Sequence, residues 1–417
     1  MAWEWKTLDQ LGSVSRGRSK HRPRDDESLY GGIYPFIQTA DVKRSNFYIT
    51  EYSQTYNERG LAQSKLWRAG TLCFTIAANI ADSAILGIDA CFPDSIMGFI
   101  PYEGVSDVRF VKYCFDVLQQ QCKQISQGAT QDNLSWEKLS TIKFPAPDYK
   151  TQQKIADILS AYDNLIENNQ KQIKLLEEAA QRLYKQWFID LRYPGHETTK
   201  IVDGLPEGWR KEKLGEIIDY EIGGGWGEDN IKDKCDQPAF VIRGTDFYGI
   251  THGEILNIPF RYHSKTNLDA RALCDGDIIF EVSGGSKTEG VAKTVLIKQA
   301  LLDRLKHPVM CASFCKLIRL KNHKLSQYMY DVFFYLRKSG KTAEYDKRSA
   351  SSIVNYRWKD FLNEIDVVIP SDLIVNQYNE IVATSYERIM KLSLSIETAK
   401  KARNFILPKL MNGELEI

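Results

Sequence analysis

What this sequence lacks narrows it before anything it contains. Nothing in it approaches 18 consecutive apolar residues, and its opening, MAWEWKTLDQ, has neither a basic segment nor an apolar run. A membrane span or secretory signal is therefore not expected, and a cytoplasmic protein is. The 8 cysteines form no CxxC pair; scattered through apolar contexts, they suit buried thiols in a reducing compartment better than disulfides or a zinc knuckle. The six histidines make no HExxH or other metal spacing, and no GxSxG elbow occurs. No Pro-Pro pair exists, which excludes the Asn/Asp-Pro-Pro-aromatic motif expected of a DNA-adenine methyltransferase. Gly223-Gly-Gly-Trp-Gly matches neither dinucleotide nor P-loop spacing. Nor does any charge excess name a partner: 55 Lys+Arg stand against 54 Asp+Glu, so a nucleic-acid surface would have to be local.

What is present is organised around one stretch, Thr151 to Leu191. Stepped alternately by four and three it reads Ile155, Leu159, Tyr162, Ile166, Asn169, Ile173, Leu176, Ala180, Leu183 and Trp187, with Gln, Glu, Asp, Lys and Asn between and neither Pro nor Gly within. That is a coiled-coil seam about 60 Å long at roughly 1.5 Å per residue. Val375 to Leu410 repeats the pattern as Tyr378, Val382, Ser385, Ile389, Leu392, Ile396, Ala399, Arg403, Ile406 and Leu410. Each seam has a charged or amide residue, Asn169 and Arg403, of the kind that fixes register at some cost in stability. The alternative is that each helix packs only on its own domain.

The rest of the chain is one unit written twice. Trp5-Lys-Thr-Leu-Asp-Gln-Leu11-Gly12 is restated as Trp209-Arg-Lys-Glu-Lys-Leu214-Gly215; Phe36-Ile-Gln-Thr-Ala-Asp41 faces Val241-Ile-Arg-Gly-Thr-Asp246. Gly70-Thr-Leu-Cys-Phe74 faces Gly276-Asp-Ile-Ile-Phe280, and Asn133-Leu-Ser-Trp136 faces Asn355-Tyr-Arg-Trp358. Colinear matches of this kind mark a duplication. β-branched and aromatic runs (34–37, 71–76, 239–242, 277–282) predict strands, and 105–123 and 326–337 predict helices. The fold class is α/β (α+β). The expected parts are a globular domain over 1–150, a helix over 151–191, a linker over 192–208 rich in helix breakers, a second domain over 209–371 and a second helix over 372–417. Antiparallel helices would give the chain an approximate twofold axis and suit it to a bipartite target.

Arg16-Gly-Arg18-Ser-Lys20-His-Arg22-Pro-Arg24 places cations at alternate positions in a loop. Such a loop can reach phosphates or a groove, or it is solvated and balanced by Asp25-Asp26-Glu27. The corresponding place in the second half, Gly223 to Gly227, is glycine-rich and aromatic instead. The turns Gly128 to Gln131 and Glu281 to Lys287 are candidate ligand-facing loops or plain tight turns.

Trp187-Phe188, Gly204-Leu-Pro-Glu-Gly-Trp209, Gly276-Asp-Ile-Ile-Phe, the Asn-x-x-Trp pairs, Gln152-Gln153-Lys-Ile-Ala and Leu410-Met-Asn-Gly413-Glu-Leu415, taken in order, resemble the specificity subunit of Type I restriction-modification enzymes. The resemblance covers essentially the whole chain. It implies two target-recognition domains, each reading one half of an asymmetric bipartite site in double-stranded DNA, joined by two long antiparallel helices that set the gap and dock two methylation subunits. It implies no catalysis and no cofactor on this chain: S-adenosylmethionine belongs to the methylation subunits, and ATP and Mg to restriction subunits that join the complex. Carried onto residues, phosphate or groove contacts are expected at Arg16, Arg18, Lys20 and Arg22. Base-edge contacts are expected at Gln38, Thr39, Thr130 and Gln131 in the first domain, and at Arg243, Thr245, Asp246, Ser286, Lys287, Lys347, Arg348 and Ser349 in the second. Two other classes remain: a bipartite DNA-binding regulator without methyltransferase partners, and a standalone nuclease or methyltransferase with an unrecognised site.

Overall fold

The computed structural model describes residues 3–415 and 417, apart from 77–81, 126–135, 253–254, 256, 285–289 and 349–353; for 120–125, 136, 138 and 348 it describes the backbone alone. It forms two compact units, and each takes a share of both long helices: unit 1 is Met1–Asn168 with Thr398–Ile417, and unit 2 is Asn169–Glu397. No helix among the described residues is long and apolar enough to cross a membrane.

Unit 1 has a five-stranded sheet in the order Gly12–Arg16, Ile96–Pro101, Leu72–Thr75, Ser83–Leu86, Tyr48–Ile49. A four-stranded sheet runs Gln54–Tyr56, Tyr30–Phe36, Ala90–Cys91, Leu66–Trp67. Unit 2 repeats this order with Ile218–Gly223, Cys315–Leu320, Ile278–Glu281, Thr294–Leu296, and with Phe260–Ser264, Cys235–Ile242, Val309–Cys311. In each unit the parallel pairing of the second sheet sets the strand before the Gln38 or Arg243 segment beside the strand that buries a cysteine, Phe36 against Cys91 and Ile242 against Cys311. Strands such as Leu72–Thr75 and Ile278–Glu281 are buried along their length, which is why they read as continuous apolar runs rather than alternating ones.

The helices Val108–Ile125 and Ser326–Lys338 pack over the first sheets, with Phe115 tilted onto Phe74 and Phe333 edge-on to Phe280. These contacts make Phe115 the counterpart of Phe333. Strand pairing corrects one sequence match. Glu4 pairs with Ala146 and Arg210 with Ile369, each of these the residue before a proline. The residue preceding the strand is therefore Trp3 in one case and Trp209 in the other. Trp5, matched to Trp209 by similarity, is 62% exposed.

The long helices span Tyr149–Tyr184 and Asp372–Met411. Asp148 opens the first by accepting the Thr151 amide at 3.1 Å and its hydroxyl at 2.6 Å, which holds the Asp148 carboxyl below its ordinary pKa. Gln152, fully buried, then staples the start: it accepts from the Asp107 amide at 3.1 Å and donates to the carbonyls of Val105 and Pro147. The helix ends in a π turn, Lys185–Ile189, that turns Trp187 and Phe188 into the core.

No predicted seam position of either helix is exposed. In unit 1, Ile155, Ala156 and Leu159 share a core with Leu407, Leu410 and Met411; in unit 2, Tyr184, Trp187 and Phe188 share one with Ile374, Val375, Tyr378 and Val382. In each unit the start of one helix thus meets the end of the other, and both also pack on the globular part. The polar seam residues find partners across the seam. Asn169 donates to Ser395 at 3.0 Å, and Arg403 donates to Asp163, which also accepts the Tyr113 hydroxyl at 2.6 Å. An unpaired amide or guanidinium at these places would cost about 1–3 kcal/mol, so the pairing favours one register.

The predicted linker is mostly exposed but is anchored at Tyr193. Tyr193, 3% exposed, lies 5.0 Å from the Trp209 ring, and Ile201–Val202 pairs with Leu205–Pro206 around Gly204.

Candidate nucleic-acid interface

After strand Gly12–Arg16 the chain continues as an extended ribbon held by its own amides. Gly17 donates to the Ile96 carbonyl at 2.8 Å, Arg18 to that of Phe92 at 2.9 Å and Lys20 to that of Gln63 at 3.4 Å, while the Arg18 carbonyl accepts the Ser64 hydroxyl at 2.7 Å. Only glycine fits at 17, because a Cβ would come 2.2 Å from the Pro93 carbonyl oxygen. With Gly17 and Ser19 buried, extended geometry turns Arg16, Arg18 and Lys20 to solvent. No carboxylate engages any of these three cations among the described residues.

Beyond Lys20 the charge is spent internally. Arg22 donates to the carbonyls of Ser19 and His21, both at 2.7 Å, and lies 3.7 Å from Asp94; Arg24 bonds Asp94 at 2.6 Å. His21 bonds Asp26, whose carboxyl also takes the Ser28 amide; the Ser28 bonds, with a lesser contribution from His21, hold its pKa down. Asp94 and Asp26 thus pair with the loop's far end and leave Arg16 to Lys20 open, while Arg22 also bonds the loop's own carbonyls.

The second ribbon hangs the same way. Gly224 donates to the Cys315 carbonyl and Gly225 to that of Cys311, both at 2.9 Å, and a Cβ on Gly224 would come 2.2 Å from the Ala312 oxygen. Gly17 and Gly224 are therefore counterparts, as are Arg18 and Gly225. In place of cations this ribbon offers bare backbone and Trp226, 39% exposed, with the Arg261 guanidinium 4.6 Å over its ring. Gly227, at φ +73°, lies over fully buried His263, neither of whose ring nitrogens has a hydrogen-bond partner among the described residues. Burial above all, then Arg261 and Arg271, pushes that imidazole's pKa down.

The other expected contacts fall into three groups. Gln38 and Arg243 are counterparts that open short helices: each donates its amide to the carboxylate three residues on, Asp41 or Asp246, at 2.8 Å. The Gln38 side chain bonds Gln54 at 2.5 Å, beside half-buried Thr39. Arg243 grips Asp246 through two nitrogens at 2.9 and 2.8 Å and reaches the Asn257 carbonyl at 3.2 Å, so these two shape the turn and leave exposed Thr245 to face outward. Lys347 is exposed on strand Asp346–Arg348. Thr130, Gln131, Ser286, Lys287 and Ser349, with the Arg348 side chain, lie outside the described residues.

Sequence reasoning missed the row that Lys347 belongs to. Strand Val354–Tyr356 lies between Ser283–Gly284 and Asp346–Arg348, with Asn355 opposite both Ser283 and Lys347. Paired residues share a sheet face. Asn355 is exposed between buried Val354 and Tyr356 and accepts the Ser283 hydroxyl at 2.9 Å. The alternation Val-Asn-Tyr was the available signal. Trp358 of the same motif is structural: its ring lies tilted against Phe280 at 5.0 Å and donates to Glu221. No group of metal-binding side chains occurs among the described residues.

Comparison with known proteins places these features in company. The model of the Type I restriction modification DNA specificity domain matches residues 2–178. The chain is 26% identical to the Type I restriction enzyme MjaIX specificity subunit of Methanocaldococcus jannaschii, over 100% of this chain and 94% of that one. It is 22% identical to the HindI specificity subunit of Haemophilus influenzae, over 99% and 100%. Its fold is similar to the crystal structure of a Type I restriction-modification S subunit from M. genitalium, with a TM-score of 0.56 at 14% identity over 99% of this chain and 96% of that one.

Proposed function

We propose how this chain, which belongs to the family of Type I restriction-modification specificity subunits, divides its labour. It confers DNA sequence specificity on such a complex, and each unit reads one half of a bipartite site in double-stranded DNA. The two ribbons are the edges turned to the duplex. Arg16, Arg18 and Lys20 neutralise phosphates for unit 1. Unit 2 brings glycine backbone and Trp226 close to its half-site, with Thr245 and the Ser283, Asn355, Lys347 row as the groove-reading groups. The observation that carries this reading is the shared hanging of the ribbons from Gly17 and Gly224: duplicated scaffolding that exposes different chemistry suits two different half-sites.

The helices dock two methylation subunits and fix the gap between half-sites. Their outward apolar side chains, among them Leu165, Leu175, Ile381 and Leu394, support a protein-covered face. Catalysis is left to the partners: S-adenosylmethionine in the methylation subunits, ATP and Mg in restriction subunits, none of them on this chain. The complex works in the cytoplasm, beside the DNA it modifies. A regulator acting without methyltransferase partners is not favoured, because the relatives are named as subunits of restriction enzymes.

Methylation mapping of host DNA with the gene intact and deleted tests the assignment. The expected result is loss of one asymmetric motif, two short blocks around an unspecified gap with adenine methylated in each. Unchanged adenine methylation, with the methylation subunit expressed, overturns it.

A further inference from the structure

In unit 2 the turn between strands Val309–Cys311 and Cys315–Leu320 is bonded to each of the three segments assigned to the duplex. The carbonyls of Cys315 and Cys311 hold ribbon 2 through the amides of Gly224 and Gly225. Ala312 donates to the Ile242 carbonyl at 2.8 Å, just before the turn that presents Thr245. The Phe314 carbonyl accepts the amides of Val282 at 2.9 Å and Ser283 at 3.2 Å, where the row through Asn355 and Lys347 begins. Cys315 closes the turn by donating to Ala312 at 2.9 Å. Phe314, on this backbone fixed from three sides, is 57% exposed.

The duplication shows that the fold does not ask for an aromatic there. Unit 1 builds the same turn: Ile96 accepts from Gly17 and donates to the Pro93 carbonyl at 3.0 Å, and the Ser95 carbonyl accepts the Ile76 amide at 3.2 Å. Ser95 is therefore the counterpart of Phe314. A single exposed apolar side chain is ordinary on a protein surface, but this one stands amid reading groups at a place where serine serves the scaffold equally well.

Resting on the reading that unit 2 faces DNA, we propose that Phe314 is a specificity-determining residue that packs on the C5-methyl group of one thymine in the unit 2 half-site. Its neighbours point to that contact. The amide of Asn355 and the hydroxyls of Ser283 and Thr245 are groups that read base edges in the major groove, and the thymine methyl is the apolar feature displayed there.

The test uses the chain assembled with its methylation subunits. Methylation mapping of host DNA gives the two blocks for wild type and for Phe314→Ser, which copies unit 1. One block should stay unchanged and the other relax at a single A·T position. Duplexes of the mapped site, each thymine of that block replaced singly by deoxyuridine, then isolate the methyl group. One replacement should weaken wild-type binding about fourfold, the worth of one buried methyl. The same replacement should weaken Phe314→Ser binding less than about 1.5-fold, the mark of a lost pairwise contact. Phe314→Leu, which keeps an apolar side chain, should retain the wild-type motif, so the proposal is tested even if serine disturbs the turn. Unchanged blocks in Phe314→Ser, a deoxyuridine effect equal in wild type and Phe314→Ser, or relaxation by leucine as large as by serine overturns the inference and spares the reading of unit 2. A wild-type complex that methylates no adenine motif overturns both.

Discussion

The ribbons at Gly17 and Gly224 hang from their sheets by amides of consecutive residues given to carbonyls four residues apart, Ile96 and Phe92 in unit 1, Cys315 and Cys311 in unit 2. One then offers a row of cations and the other a row of glycines. Where backbone hydrogen bonds and one obligatory glycine set the path, the outward side chains are free to change without disturbing the fold. A similar exchange occurs inside. Counting from Phe115 and Phe333, Tyr113 and Asp331 are counterparts on the short helices. Tyr113 donates its hydroxyl to Asp163 on the first long helix, whereas Asp331 accepts that of Tyr378 on the second, at 2.8 Å. Each unit thus ties its short helix to a long one, at different places along it and with donor and acceptor reversed.

The comparison is open to direct attack. The largest effect is expected from Gly17→Val and Gly224→Val, each forcing a Cβ onto a carbonyl oxygen. Both should cost about 3 kcal/mol or more, seen as lowered urea midpoints, and equally so if the ribbons are true counterparts. Next come Arg16→Ala, Arg18→Ala and Lys20→Ala combined. DNA affinity should fall by about a hundredfold at moderate salt, and the slope of log K against log salt should flatten by about 2 to 3. An unchanged slope would remove ribbon 1 from the interface.

Asp331→Asn tests the internal exchange through pH. Burial raises the Asp331 carboxyl from 3.8 to about 6, against the lowering effect of its bonds from Gln327 and Tyr378. A raised acid stabilises the fold fully below its unfolded value and loses that contribution as pH rises through 6. Relative to the Asn variant, wild type should therefore lose up to about 2 kcal/mol between pH 4 and pH 7 in urea unfolding. A constant difference across that range would show that Asp331 does not titrate in the fold. The smallest effect is expected from Arg24→Ala, less than about twofold in DNA affinity, because Arg24 is committed to Asp94.

Much of this was legible beforehand, and the reasons are local. The seam from Ile155 to Trp187 announced itself because a helix repeats its environment every three or four residues. The duplication was visible through short words, yet similarity set Trp5 against Trp209, and only strand pairing, which sequence does not display, moved the match to Trp3. The open state of Arg16, Arg18 and Lys20 was likewise out of reach. It depends on Asp94, about 70 residues on, taking Arg24 and leaving Arg16 to Lys20 untouched. Arg243 looked like a base reader from its residue type, while its guanidinium is bound to Asp246 within its own turn. Tyr193 lay in a stretch whose composition says linker, and its burial came from Trp209.

One feature of the cores also bears on how the molecule is made. Unit 1 takes Leu407, Leu410 and Met411 into the same core as Leu8, Phe74 and Leu159, and the whole of unit 2 lies between them along the chain. On a ribosome that releases the amino terminus first, every residue of unit 2 has been synthesised before the last pieces of unit 1 exist. The part translated first is sealed last, and in the interval its unpaired apolar faces are the stretch that nascent-chain chaperones have most reason to hold.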